Sequence, residues 1–279
     1  MSKTKRKFLG WRFDGDRKHF FLFWVPVYSK NNNKINIKSL NKEIESIKTT
    51  YFPALANHPQ VFEKMKGCHA GQDLVLVGTA PTLDLYQPIP GAIHMGVNRS
   101  ILDQRIAFDY HICLDYPLID DKYLMEYRKG TCRKLYGMHH ADSIMISESM
   151  LKKIGAERFY FEQYSVFDTN KRFHVDIAHL PLRVGVSVIS AAFQIALWCH
   201  PRRIYIVGCD CSNTGYTKAD TSKMVQWLPL ESLKKEWERL ANFARTMYPD
   251  IEIISINPIG LRGIFTDVSM NNGEISPLN

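Results

Sequence analysis

Between Gln72 and Ile256 short apolar runs recur at intervals set by longer, helix-like stretches. DLVLVG (73–78), AIHMGV (92–97), FDYHICL (108–114), RIYIVG (203–208) and IEIISI (251–256) each read as a strand that ends at a small or polar residue. SVISAAFQIALWC (187–199) is almost wholly apolar, the mark of a helix buried on every side. Leu230, Leu233, Trp237, Leu240, Phe243 and Met247 advance by threes and fours, which predicts an amphipathic helix over 230–247. Strands alternating with helices predict an α/β domain with a mainly parallel sheet and helices on both faces. Ligands of such sheets bind beyond the carboxyl ends of the strands, so the loops after these runs are where chemistry is expected.

The N-terminal quarter is built differently. Residues 1–66 carry 14 basic and 5 acidic side chains, and the rest of the chain 22 and 23, so the whole excess of +8 lies at the front. Cations interleave with aromatics there: Lys3, Lys5, Arg6 and Lys7 precede Phe8, Trp11 and Phe13, and Arg17, Lys18 and His19 lead into FFLFWVPVY. Residues 1–38 therefore suit the surface of an anionic bilayer, where each Lys or Arg contributes about 1 kcal/mol. The same residues also fit a β-hairpin with one strand in HFFLFWVPVY, a turn at NNN and a return in KINIK. The expected division is a basic aromatic arm over 1–66 and a ligand-binding domain over 67–279.

With 45% apolar and 12% aromatic residues the chain is globular. No stretch is long and apolar enough for a spanning helix, and MSKTKRKFLGWRFDGDRK has no signal-peptide core. Charge confined to one end is unlike a nucleic-acid-binding domain, and no RNA-binding motif accompanies it. The six cysteines form no CxxC and no zinc spacing, and read as buried free thiols of a reducing compartment.

Three loops stand out. Gly78-Thr79-Ala80-Pro81-Thr82-Leu83 is a small-residue turn whose N–H groups could hold a phosphate, although it is neither GxGxxG nor a P-loop. Asn98 and Asp115 end the second and third runs, where a helix cap and a turn are the plain alternatives. Gly208-Cys209-Asp210 follows the fourth; Asp115 and Asp210 together could hold a divalent cation.

The succession DLVLVGTAPTLD, GVNRS, CLDYP and RVGVSVISAAFQIALWCHPRRIYIVGCDCSNTGYT resembles the bacterial sialyltransferases of glycosyltransferase family 42 over residues 73–265. The resemblance implies a Rossmann-like fold and a CMP-activated sugar donor with no cofactor. It further implies direct displacement with inversion and no metal. On it, Gly78, Thr79, Ala80, Pro81 and Thr82 match the nucleotide loop, and Asn98 and Asp115 the nucleotide contacts. Ser187 matches the small residue opening the apolar helix, and Gly208 and Asp210 match G-x-D. Thr79-Ala80 departs from the Asn-Gly usual there. Asp115 fits better a second family with the same skeleton, the 6-hydroxymethylpterin diphosphokinase-like proteins.

The transfer needs a general base for the acceptor hydroxyl and groups that stabilise the departing phosphate. His179 and His174, ahead of Arg183, are the candidate bases, with His179 favoured. Tyr160 and Tyr164 are candidate phenol donors or packing residues, and Arg183 a phosphate ligand or a partner of Asp176. The leading expectation is thus a glycosyltransferase that moves a sialic-acid-like or related keto-sugar onto a bacterial cell-surface glycan. Lipopolysaccharide or capsule biosynthesis is the setting. The enzyme would be cytoplasmic and peripheral on the inner membrane, with a nucleotide sugar and a glycan or glycolipid acceptor as partners. The alternatives are a magnesium-dependent diphosphokinase-like protein and a non-catalytic nucleotide-binding adaptor.

Overall fold

The computed structural model describes residues 55–114, 121–139, 148–220 and 229–278, and the backbone of three strands within residues 9–29. The chain divides into two compact units, Met1–Pro53 and Ala54–Asn279. The first holds β1 (Leu9–Asp14), β2 (Arg17–Leu22) and β3 (Val25–Ser29) in an antiparallel sheet of that order. Leu22 pairs with Val25. The chain therefore reverses inside HFFLFWVPVY, which makes two strands where the sequence pattern predicts one. The expected return strand KINIK lies outside the described residues.

The second unit opens with α1 (His58–Phe62), which packs into its core although the sequence pattern places these residues in the arm. It continues through β4 (Asp73–Val77), β5 (Ile93–Val97), β6 (Tyr110–Cys113), α2 (Asp121–Lys129), β7 (Arg133–His139), α3 (Glu148–Ile154), β8 (Ala156–Gln163) and β9 (Leu182–Val184). There follow α4 (Val188–Trp198), β10 (Arg203–Val207), α5 (Leu230–Met247), β11 (Glu252–Ile256), β12 (Thr266–Asn271) and β13 (Glu274–Pro277). Short 3-10 turns at Pro81–Leu85 and Asn98–Leu102 follow β4 and β5.

The ten strands lie in the order β13-β12-β11-β10-β4-β5-β6-β7-β8-β9, parallel except for β12 with β13. The α/β, Rossmann-like, mainly parallel sheet expected from the alternation is what forms. The chain winds outward from β4 to β9, then returns to β10 on the other side of β4 and winds outward again. The order thus reverses between β4 and β10, a topological switch point where loops leave in opposite directions and a crevice opens.

Both faces are covered. Leu74, Leu76, Ile204 and Ile206 pack with α1, α4 and α5, and their alternates Val75, Val77, Tyr205 and Val207 pack with Leu83 and Tyr86. Toward β7, α2 and α3 cover the second face through Tyr123, Tyr127, Leu151 and Ile154. Residues 189–198 of α4 are all buried, as an all-apolar helix requires. Each such Leu, Ile or Phe contributes about 1.5–3 kcal/mol. The Ser187 hydroxyl accepts from Ile189 N–H to start α4, and a left-handed His200 before Pro201 ends it. Among the described residues no helix is long and apolar enough to cross a membrane.

Candidate functional site

Val77 of β4 pairs with Val207 of β10 and with Gly96 of β5, so the three strands end level. Their exit loops close on one cavity of about 360 Å³. Gly78, Thr79 and Ala80 line it, with Asn98, Ser187, Gly208 and Asp210. These are seven of the candidates read from sequence, brought together from four chain segments. Pro81 and Thr82 stand behind them. Asp115 lies outside the described residues.

The floor of the crevice is two glycines in contact. A Cβ on Gly78 would lie 2.2 Å from the carbonyl oxygen of Gly208, and Gly208 itself is left-handed at φ +61°. Only glycine permits that approach. Gly78 N–H donates to Val207 O at 2.8 Å and Ala80 N–H to Gly208 O at 2.9 Å. Thr82 donates its backbone N–H and its hydroxyl to the Asp210 carboxylate. Three N–H groups expected to await a phosphate are therefore spent inside the protein. Asp210 is a buried clamp between the two loops. Burial raises its carboxyl above the ordinary range, and the Thr82 bonds oppose that.

Asn98 is not a helix cap. It is left-handed, at φ 42°, and its side-chain oxygen accepts from Leu114 N–H at 3.4 Å. Fully buried His111 donates to the Asn98 carbonyl at 2.7 Å, and burial lowers that imidazole to about 3, so it stays neutral in this role.

A second wall comes from the turn before α4. Glu236, on the inward face of α5 and fully buried, accepts from the N–H groups of Gly185 (2.6 Å), Val186 (3.0 Å) and Ser187 (3.2 Å). This carboxylate was not legible as functional. It occupies the one polar position on the apolar stripe of α5, and that is the signal that could have found it. Burial raises its carboxyl, opposed by the donors from Gly185 and Val186.

The loop after β10 lines the cavity and is tied to the loops after β4 and β5. Thr217 N–H donates to Thr79 O at 2.9 Å, the Thr217 hydroxyl to Asp84 at 2.5 Å, and Arg99 grips Asp220 through two bonds of 2.5 and 2.7 Å. Ser212, Gly215 and Tyr216 of this loop face the cavity, as does Cys209, whose thiol burial pushes far up and so keeps protonated.

The candidates assigned to acid–base and phosphate chemistry lie elsewhere. Glu162 pairs with Arg183 in the β8–β9 register, one residue out of phase with Phe161, Gln163 and Val184, which line the cavity. Strand alternation therefore turns Arg183 away. Its partners are Glu162 at 3.2 Å and His174 at 3.1 Å, not Asp176. Burial, with Arg183 second, lowers the His174 imidazole. His179 precedes β9 and is exposed, held between Asp176 and Glu63. Tyr160 is buried, its N–H donating to His58 at 2.6 Å. Tyr164 packs edge-on against Phe173 under Arg239. None of these five lines the cavity.

The histidine that does is His139, the last residue of β7, 5.5 Å from the Phe161 ring. RKLYGMH ends in a polar residue, but its basic start hides it from a hydrophobicity reading.

The cysteines are all free, but only Cys113 and Cys199 are buried; Cys132, Cys209 and Cys211 are half-buried and Cys68 is exposed. Its thiol is held below the usual range, chiefly by a hydrogen bond with Cys199.

No family model matches the chain, and no curated protein does. Among solved structures it is similar to the sialyltransferase CstII from Campylobacter jejuni, in complex with a substrate analogue, cytidine-5'-monophosphate. That similarity has 14% identity and a TM-score of 0.41, and covers 75% of this chain and 91% of that one.

Proposed function

We propose that this protein is a glycosyltransferase whose donor is a CMP-linked sialic-acid-like or related keto-sugar. One observation carries the reading: the loops after β4, β5 and β10 enclose a single cavity at the switch point of the sheet, where doubly wound folds take nucleotides. The sequence resemblance over residues 73–265 supplies the chemical class.

Thr79, Asn98, Cys209 and Ser212 line the cavity and meet the nucleotide in this reading, whereas the N–H groups of Gly78, Ala80, Thr82 and of Gly185 to Ser187 and the Asp210 carboxylate serve internal partners. His139 takes the proton of the acceptor hydroxyl in place of His174 or His179. The freed oxygen attacks the anomeric carbon of the sugar. The bond from that carbon to the nucleotide phosphate breaks, and the phosphate leaves with the electron pair. No step in this scheme requires a cofactor. The aromatic, cationic residues 1–38 hold the enzyme at an anionic membrane where a glycolipid acceptor resides.

Thermal unfolding in the presence of CMP, UDP, GDP, ADP and ATP, each with and without magnesium, tests the donor class. Saturating CMP alone should raise the melting temperature, because a ligand at 100 times its Kd adds about 2.7 kcal/mol to a fold that alone binds it. Stabilisation by ATP with magnesium only would refute the reading in favour of a diphosphokinase-like activity. His139→Ala should keep the CMP shift while turnover falls about 10²–10⁴-fold. Unchanged turnover removes His139 as the base.

A further inference from the structure

At the far end of α4 from the cavity, two chain segments place two thiols and an imidazole side by side. Cys199 caps the helix that Ser187 begins, 12 residues or about 18 Å away. The turn carrying Cys68 and His69 is fastened to that helix end by Gly67 N–H on Trp198 O at 2.9 Å and His69 N–H on Cys199 O at 3.0 Å. The sulfurs of Cys68 and Cys199 and a ring nitrogen of His69 all lie within 4.8 Å of one another. In a tetrahedral zinc site, with bonds of about 2.3 Å to sulfur and 2.0–2.1 Å to nitrogen, such atoms stand about 3.5–3.8 Å apart. Cys68 is the exposed member of the three.

The imidazole is already in the tautomer that a metal needs. Nδ1 lies 2.7 Å from Gln72 Oε1, an atom that can only accept, so Nδ1 carries the proton. Nε2 then presents its lone pair, which the Tyr110 hydroxyl meets at 2.9 Å. A ligating histidine held by an amide oxygen through its other nitrogen is the usual outer-shell arrangement. The C-terminal end of α4 favours a cation as well.

We propose that Cys68, His69 and Cys199 form a three-ligand site for Zn²⁺, separate from the cavity and open at its fourth position toward Tyr110 and solvent. Two thiolates and a neutral imidazole balance the charge of the ion. Three protein ligands with an exchangeable position describe a site that can take up a further ligand, rather than a closed structural one.

The test uses the full chain, reduced and stripped of metal by a chelator, then titrated with Co²⁺ and back-titrated with Zn²⁺. One equivalent of Co²⁺ should give the thiolate-to-cobalt charge-transfer band and tetrahedral visible bands, both abolished by Zn²⁺. Cys68→Ser should roughly halve the charge-transfer intensity and weaken binding at least about tenfold. Gln72→Leu, which touches no metal, should weaken binding about 10–100-fold with the spectrum unchanged. Melting temperatures of the variants show that they fold. Absence of the charge-transfer band in the reduced wild type, or its persistence at full intensity in Cys68→Ser, overturns the proposal; the latter would place the metal on Cys209 and Cys211 instead.

Discussion

Replacing Glu236 tests how the cavity wall is held. Its carboxylate receives three backbone N–H groups at 2.6–3.2 Å in a fully buried setting, and a Cβ on Gly185 would come within 2.7 Å of one of its oxygens. Glu236→Gln keeps the shape but puts an amide N–H₂ where an oxygen accepted. At least one of the three donors is then left facing another donor. A buried donor without a partner costs about 1–3 kcal/mol. Relief of the buried charge offsets part of the remaining loss, because the Glu236 carboxyl is already raised by burial. The expected net destabilisation is about 2 kcal/mol, or a fall of roughly 4–8 °C in melting temperature for a domain of this size. Glu236→Ala orphans all three donors and should cost more, about 3–5 kcal/mol. Thermal unfolding at pH 7 followed by circular dichroism measures both, and a CMP titration of the folded variants shows whether the wall at Gly185–Ser187 has moved. A Glu236→Gln protein as stable as the wild type would mean that the three bonds contribute nothing net, and the account of this wall would fail.

Acid should weaken the fold through two buried histidines. His58 donates from Nδ1 to Ile177 O at 3.0 Å and accepts at Nε2 from Tyr160 N–H, so its neutral form is built in. Burial lowers it to about 4 and His111 to about 3, from 6.5. Folded pKa values below the unfolded one mean that the unfolded chain binds more protons, so stability is lost as pH falls from about 6.5 toward 4 and 3. At pH 5 each histidine costs about 2 kcal/mol relative to pH 7. His58→Gln should flatten the pH 7 to 5 change in unfolding free energy, measured by urea denaturation, by that amount, and an equal change in variant and wild type refutes it. Gly78→Ala drives a methyl into the Gly208 carbonyl and should cost about 1–3 kcal/mol along with nucleotide binding, whereas Gly130→Ala, with its nearest contact at 3.4 Å, should change the melting temperature little. Asp220→Asn breaks the buried bidentate pair with Arg99 and should expose the loop 209–220 to limited proteolysis. Cleavage no faster than in the wild type would show that the loop's attachment does not depend on this pair. Removal of residues 1–53 should reduce sedimentation with anionic liposomes; equal binding by the truncated protein removes the membrane role.

The amino-acid order by itself determined the alternating α/β core. β4, β5, β6, β10, β11, α4 and α5 all fall within a residue or two of the runs that predict them, because burial on both faces writes continuous apolar stretches. It was silent on β7 and β8. Lys134 sits buried inside β7, bonded to Ile154 O at 3.2 Å and lying 5.5 Å from the Tyr127 ring, and a strand stocked with lysine and arginine carries no hydrophobic signature. The glycine loops and Asn98 were legible because a tight backbone approach demands particular residue types. Whether Arg183 faces the cavity depends on strand phase against β8, and the partner of Asp210 depends on a loop 128 residues away. Glu236, His139 and the Cys68–His69–Cys199 cluster belong to the same class. Their neighbours are far off in the chain, and only the winding of the sheet brings them within bonding distance.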